Sequence, residues 1–280
     1  MHDGKRLLQA FDGLWGKYRK RLTACRHEAG EEPVHKLRIS TRRLLSAIEL
    51  LQTLAPQPEL RKLRKALKAQ LDGFDELRDT QVMLLEITSA LDSLPQLQAF
   101  LQHLQSNEQR LLAQTPAVIE QIDSAKLESL LKKAHKPLQN ELGKAGLKPA
   151  ILSAIDAIYQ TALQRYQAID ATQPMTIHRT RIAVKKLRYM LESAKILLPP
   201  LPENHLVRIQ AYLTDMGEIQ NSCVLLLSLK TFFAGEMPAS VQTHYQHRHS
   251  TIIMAYMSRR KELLQFWRSN AELAMPWEQA

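Results

Sequence analysis

His35-Lys36-Leu37-Arg38-Ile39-Ser40-Thr41-Arg42-Arg43-Leu44 decides the fold of this chain, because His178-Arg179-Thr180-Arg181-Ile182-Ala183-Val184-Lys185-Lys186-Leu187 repeats it. Each copy has a His, a cation three residues on, and a cation pair seven and eight residues on. The two histidines are 178 − 35 = 143 residues apart in a chain of 280. A second pair keeps the register: Leu77-Arg78-Asp79-Thr80-Gln81-Val82-Met83-Leu84-Leu85 aligns with Ile219-Gln220-Asn221-Ser222-Cys223-Val224-Leu225-Leu226-Leu227, and 219 − 77 = 142. Self-similarity at a fixed offset marks a tandem duplication.

Composition sets the class. Nine glycines and 6% aromatic residues, in a chain rich in Leu, Ala, Gln, Lys and Arg, predict an all-α protein. Apolar residues recur at helical spacing with proline at the joints, predicting helices near residues 4–28, 33–54, 57–91, 95–120, 125–142, 148–170, 175–197, 203–233 and 238–270. The segment from Leu127 to Leu142 and the turn Gly143-Lys144-Ala145-Gly146 read as the connector between halves 1–145 and 146–280, each able to supply about four long helices. Cys25 and Cys223 are too few for a disulfide framework and lack zinc spacing. The start has no signal-peptide apolar core, no run is long enough to span a bilayer, and Val224 to Leu227 reads as a buried helix turn. A cytoplasmic protein that does not bind membranes is expected.

A net charge of +10 favours a polyanionic partner, and the helical faces show where it would dock. Taking His35 as zero, Arg38 and Arg42 fall within about 60° of it at 100° per residue, whereas Leu37, Leu44, Ile48 and Leu51 cluster opposite. Lys36 and Arg43 flank the stripe. In the second copy His178, Arg181 and Lys185 repeat it, Tyr189 extends it, and Arg179, Lys186 and Arg188 flank it. A third stripe, Arg61, Arg64, Lys65 and Lys68, lies opposite Leu60, Leu63, Leu67 and Leu71. Like charges at these spacings repel by a few tenths of a kcal/mol per pair, which is tolerable where an anion sits. Both histidines are expected in the first turn of their helices, where the macrodipole keeps imidazole neutral and attracts anions.

The paired His-x-x-Arg-x-x-x-Arg/Lys-Arg/Lys segments and the Leu-Arg-Asp turn at 77–79 resemble the CHAD family, the conserved histidine α-helical domain, over nearly the whole chain. The resemblance implies two four-helix bundles related by pseudo-twofold symmetry, with a basic surface and central channel that bind inorganic polyphosphate. It implies His35, Arg38, Arg42 and Arg43, then His178, Arg181, Lys185, Lys186 and Arg188, as ligand positions, with Arg78 from the second motif. Gln220 stands opposite Arg78 and Asn221 opposite Asp79, a departure that weakens the second Leu-Arg-Asp-like turn.

Elementary chemistry agrees with that implication. A phosphate polymer offers closely spaced anionic oxygens without bases, so clustered guanidinium, ammonium and imidazole donors suffice. One helical turn advances about 5.4 Å, so successive stripe residues can meet successive or alternate phosphates. Other sites assemble poorly. His244, His247 and His249 lack a carboxylate or cysteine to complete a metal site. Asp72, Asp75, Glu76 and Asp79 fit better as orienters of Arg78 and neutralisers of nearby cations than as a magnesium site. Trp15, Trp267 and Trp277 are too scattered for a base-stacking platform, and there is no Gly-rich phosphate loop or nucleophilic serine motif. The expectation is a non-enzymatic polyphosphate binder without cofactor or metal, associated with polyphosphate granules and a protein partner there, and binding RNA weakly. An enzyme acting on phosphoanhydrides and an RNA-binding or scaffolding helical protein are the rival classes.

Overall fold

The structure, a computed structural model, describes residues 3–143 and 146–278. Lys144 and Ala145, where the boundary between halves is expected, lie outside the described residues. Ten α-helices form among the described residues: α1 (Asp3–His27), α2 (Glu31–Leu54), α3 (Pro58–Asp72), α4 (Asp75–Ala90), α5 (Gln98–Glu120), α6 (Ser124–Leu142), α7 (Leu147–Gln167), α8 (Pro174–Ala194), α9 (His205–Phe232) and α10 (Ala239–Arg259). Short 3₁₀ turns at Pro95–Leu97, Arg260–Gln265 and Pro276–Glu278 complete the order, and no strand occurs among the described residues. No helix among them is long and apolar enough to cross a membrane.

The chain packs into two units that are not contiguous in sequence. One comprises Met1–Asp75, Leu112–Ile158 and Lys186–Leu201; the other comprises Glu76–Leu111, Tyr159–Lys185 and Pro202–Ala280. Helices α5, α7 and α8 each contribute to both.

In the first unit α1 packs on α2, α2 on α3, α3 on α6, and α6 returns to α1. The apolar stripes explain that ring. Leu37, Leu44, Ile48 and Leu51 of α2 and Leu60, Leu63 and Leu67 of α3 are fully buried, each worth about 1.5–3 kcal/mol relative to exposure. Helix α6 is a wall of this core, not a connector, because Leu127, Ala134, Leu138 and Leu142 are buried along one face. The contact is close enough that a Cβ on Gly4 would fall 2.0 Å from the Leu142 carbonyl oxygen, so any larger residue there would push α1 off α6.

In the second unit Ile87 and Ala90 of α4, Leu97 to Leu104 around the start of α5, Leu225 and Leu229 of α9, and Val241 and Tyr245 of α10 form one apolar cluster. The chain beyond α10 is fastened by buried polar contacts. Tyr159 donates to the Leu263 carbonyl at 2.9 Å, Tyr212 donates to the Arg260 carbonyl at 3.1 Å, and His205 Nε2 lies 3.0 Å from the Phe266 carbonyl.

Four local expectations change. The helix expected over 57–91 is broken at Gly73-Phe74, whereas its duplicate, α9, runs unbroken from His205 to Phe232. Gly73 and its duplicate position Asp215 differ, and Asp215 is instead held by Arg259 at 2.6 Å. The last helix ends at Arg259 and tightens into a 3₁₀ turn. Leu227 is 67% exposed, and so is its duplicate Leu85, at 72%. Finally, α2 starts at Glu31 and α8 at Pro174, so His35 and His178 are each the fifth residue of their helices. They stand a turn inside the N-terminus, where the terminal amides are no longer available to an anion.

Candidate polyanion-binding surface

In the first unit α2 turns His35, Lys36 and Arg43 to solvent and leaves Arg42 half-buried. Lys36 pairs with Glu32 one turn back, and that bond holds the Glu32 carboxyl below its usual range. Arg42 Nε is buried and has no hydrogen-bond partner among the described residues. A buried unpaired N–H costs about 1–3 kcal/mol, so the position is one that an outside acceptor would relieve. On α3, Arg61 and Lys65 are exposed without an ion pair among the described residues, but the other two members of the stripe are occupied. Arg64 donates from Nε and Nη2 to Glu49 Oε1 at 3.0 and 2.7 Å, and Lys68 pairs with Asp72.

The end of α8 joins the same unit. Ser46 Oγ donates to the Tyr189 carbonyl at 2.7 Å and lies 2.7 Å from Ser193 Oγ, fixing α2 against α8. Arg42 stands one turn before Ser46 on α2, and Arg188 precedes Tyr189 on α8. Arg188 bonds Glu192 at 2.6 Å and lies over the Tyr189 ring at 5.6 Å, and its Nε, like that of Arg42, is buried without a partner among the described residues. Lys186 is exposed and borders an open cleft of about 280 Å³ with Ser46, Glu49 and Arg64.

The second unit holds Arg78, His178, Arg179, Arg181 and Lys185. His178 is half-buried, hydrogen-bonds the Gln220 side chain, and carries a buried Nδ1 without a partner among the described residues. Burial first, then the Arg181 and Lys185 charges, push its pKa below the ordinary value of 6.5, against the opposing pull of Gln220. Arg179 is exposed, and its carbonyl accepts from Arg165 at 3.0 Å. Exposed Arg78 borders an open cleft of about 340 Å³ with Val82, Leu85, Glu218 and Arg248; Arg248 is tied to Glu86 at 2.8 Å.

Arg38 and Arg181 do something different from their stripe neighbours. Arg38 is only 6% exposed and donates to the Leu71 carbonyl at 3.0 Å and to Asp75 at 2.9 Å, clamping the end of α3 to the start of α4 across the Gly73 break. Arg181 Nε reaches the Leu213 carbonyl at 3.4 Å, and its guanidinium passes where a Cβ on Gly217 would lie 3.3 Å away. Leu213 and Gly217 are the duplicates of Leu71 and Asp75, both 142 residues on. The same clamp therefore exists in both copies, with its carboxylate present only in the first.

The remaining groups settle into structural roles. Asp72, Asp75 and Glu76 neutralise Lys68, Arg38 and Arg110 respectively. His249 Nδ1 lies 2.7 Å from Ser222 Oγ, and no group of three or more metal-ligating side chains occurs among the described residues. Trp15 and Trp267 are buried, so neither offers a face to a base. Sequence reasoning missed Glu49 and Ser46, and it did not single out Arg38 as the cation that Asp75 neutralises. Asp75 had a signal: Arg38 and Arg181 are Arg in both copies, whereas Arg42/Lys185 and Arg43/Lys186 interchange, and a forked contact to two acceptors is what only Arg makes.

The family model described as CHAD domain matches residues 9–230. The fold is similar to the crystal structure of the CHAD domain from the plant Ricinus communis, with a TM-score of 0.67 and 18% identity, over 98% of this chain and 93% of that one. No curated protein matches the chain.

Proposed function

We propose, from the premise that this chain belongs to the CHAD domain family, that it is a non-enzymatic binder of inorganic polyphosphate. The observation that carries the reading is the set of buried side-chain nitrogens without a partner among the described residues: Arg42 Nε and Arg188 Nε in one unit and His178 Nδ1 in the other. Around them stand exposed His35, Arg43, Arg61, Lys65, Arg78, Arg179 and Lys186. Lys36, Arg64 and Lys68 join when the polymer displaces Glu32, Glu49 and Asp72, since solvent-screened pairs of this kind are weakly held. Arg38 and Arg181 position the basic helices, and Lys185 belongs to the stripe beside His178. The repeated clamp supports tandem halves, 1–145 and 146–280, as two pseudo-twofold-related four-helix bundles. Such a protein resides with the polymer in cytoplasmic granules, where a further protein is its partner.

The test uses long-chain polyphosphate with Arg42→Glu, Lys185→Glu and their combination. Each reversal should weaken binding by more than the roughly 1.5–3 kcal/mol of one charge-assisted contact, because it adds repulsion. The double variant should be non-additive if both positions touch one stretch of polymer. Melting temperatures should barely change, and incubation with polyphosphate and magnesium should release no orthophosphate. RNA should compete weakly, since its phosphates are farther apart and no stacking platform serves its bases. A folded double variant that binds like the parent refutes the reading.

A further inference from the structure

The two histidines of the duplicated stripe have diverged in setting. His35 is exposed on α2, with no hydrogen bond or ion pair among the described residues. His178 is half-buried on α8 and engaged by Gln220 of α9, the residue standing where the first copy has Arg78. Its other ring nitrogen, Nδ1, is buried without a partner among the described residues, and Arg181 and Lys185 lie one and two turns further along its own helix. Arg181 and Lys185 of its own helix and Gln220 of α9 are the charged and polar groups that act on this ring.

We infer that His178 is the proton-coupled member of the stripe, neutral when the site is empty and protonated when a phosphate polymer lies along the stripe beside Lys185. This inference rests on the polyphosphate reading above. The physical cause is local. In the empty site two cations and partial burial oppose a third positive charge, so the imidazole holds one proton, shared with Gln220. A seated phosphate cancels the field of the two cations and offers an acceptor to Nδ1, which then binds a proton taken from solvent. The ring goes from imidazole to imidazolium, and no covalent bond to phosphorus forms. Because the bound state holds one more proton than the free state, affinity rises as pH falls from the bound-state pKa towards the free-state value below 6.5. His35, by contrast, is exposed on α2.

Titration calorimetry of the full chain with long polyphosphate, in buffers of unequal ionisation heat, reads the proton count directly. The parent should take up close to one proton per occupied second-copy seat within that window, with affinity gaining about tenfold for each unit of pH lowered. His178→Gln should bind more weakly, without that uptake and with a flattened pH profile, whereas His247→Gln, exposed on α10 outside the basic stripes, should keep it. Thermal melts of both variants confirm that they are folded. Uptake that persists in His178→Gln, or binding by the parent with no buffer dependence, overturns the inference while leaving polyphosphate binding intact. Absence of polymer binding in every buffer overturns the functional reading and the inference with it.

Discussion

Replacing Arg38 by Met separates a clamp from a ligand. Methionine keeps the packing of the stem and removes only the guanidinium, with its bonds to the Leu71 carbonyl at 3.0 Å and Asp75 at 2.9 Å. The carbonyl bond involves a charged donor inside the unit and is worth about 1.5–3 kcal/mol. Asp75 is 54% exposed, so its ion pair is screened and adds no more than about 1 kcal/mol. The Leu71 carbonyl is not stranded, since the Phe74 amide still reaches it at 3.2 Å. The expected loss is therefore about 2–4 kcal/mol, a fall in melting temperature of roughly 5–15 °C for a chain of this size. Arg181→Met should cost about 1 kcal/mol or less, because its carbonyl bond is long, at 3.4 Å, and glycine replaces the carboxylate. Melting followed by circular dichroism, beside polymer affinity at a temperature where every variant is folded, reads both quantities. An Arg38→Met protein that melts with the parent but loses as much polymer affinity as Arg42→Met would refute the clamp and restore Arg38 as a ligand.

Two further outcomes follow from the same geometry. Affinity for polyphosphate should fall steeply and linearly on a log–log plot against salt, by analogy with nucleic acids, and a flat dependence measured by fluorescence titration would sink the electrostatic account. Glu49→Gln should release Arg64 and raise affinity for long polymer about three- to tenfold, the effect of one added unit of favourable charge, with little change in melting temperature; an unchanged affinity would place Arg64 outside the binding surface.

Much of the local architecture was legible because it depends on spacing alone. The leucines of α2 and α3 assigned to the apolar back are all buried, and the helical class holds throughout the described residues. The break at Gly73 was not legible, since one glycine in a long apolar-periodic run costs only about 1 kcal/mol and is often tolerated. Across it reaches Arg38, a side chain 33 to 37 residues earlier in sequence. Arg38 itself lies at the border between the cationic and apolar faces, next to buried Thr41, and a long side chain there can turn either way. The choice was made by an acceptor on another helix. The occupied state of Arg64 and Lys68 escaped for a similar reason: Glu49 comes from α2, and Asp72 lies within reach only because α3 is still helical at its last residue.

Ser46 and Tyr189, joined by a hydroxyl-to-carbonyl bond, are the same position in the two copies, since 189 − 46 = 143. Such a place meets its own image. Were the halves separate identical subunits, a single codon would write both sides of that contact, and any substitution would have to suit itself twice. Covalent duplication removes that self-constraint. Here one side has become a small hydroxyl donor and the other a ring that carries an arginine, a division of labour unavailable to a symmetric pair.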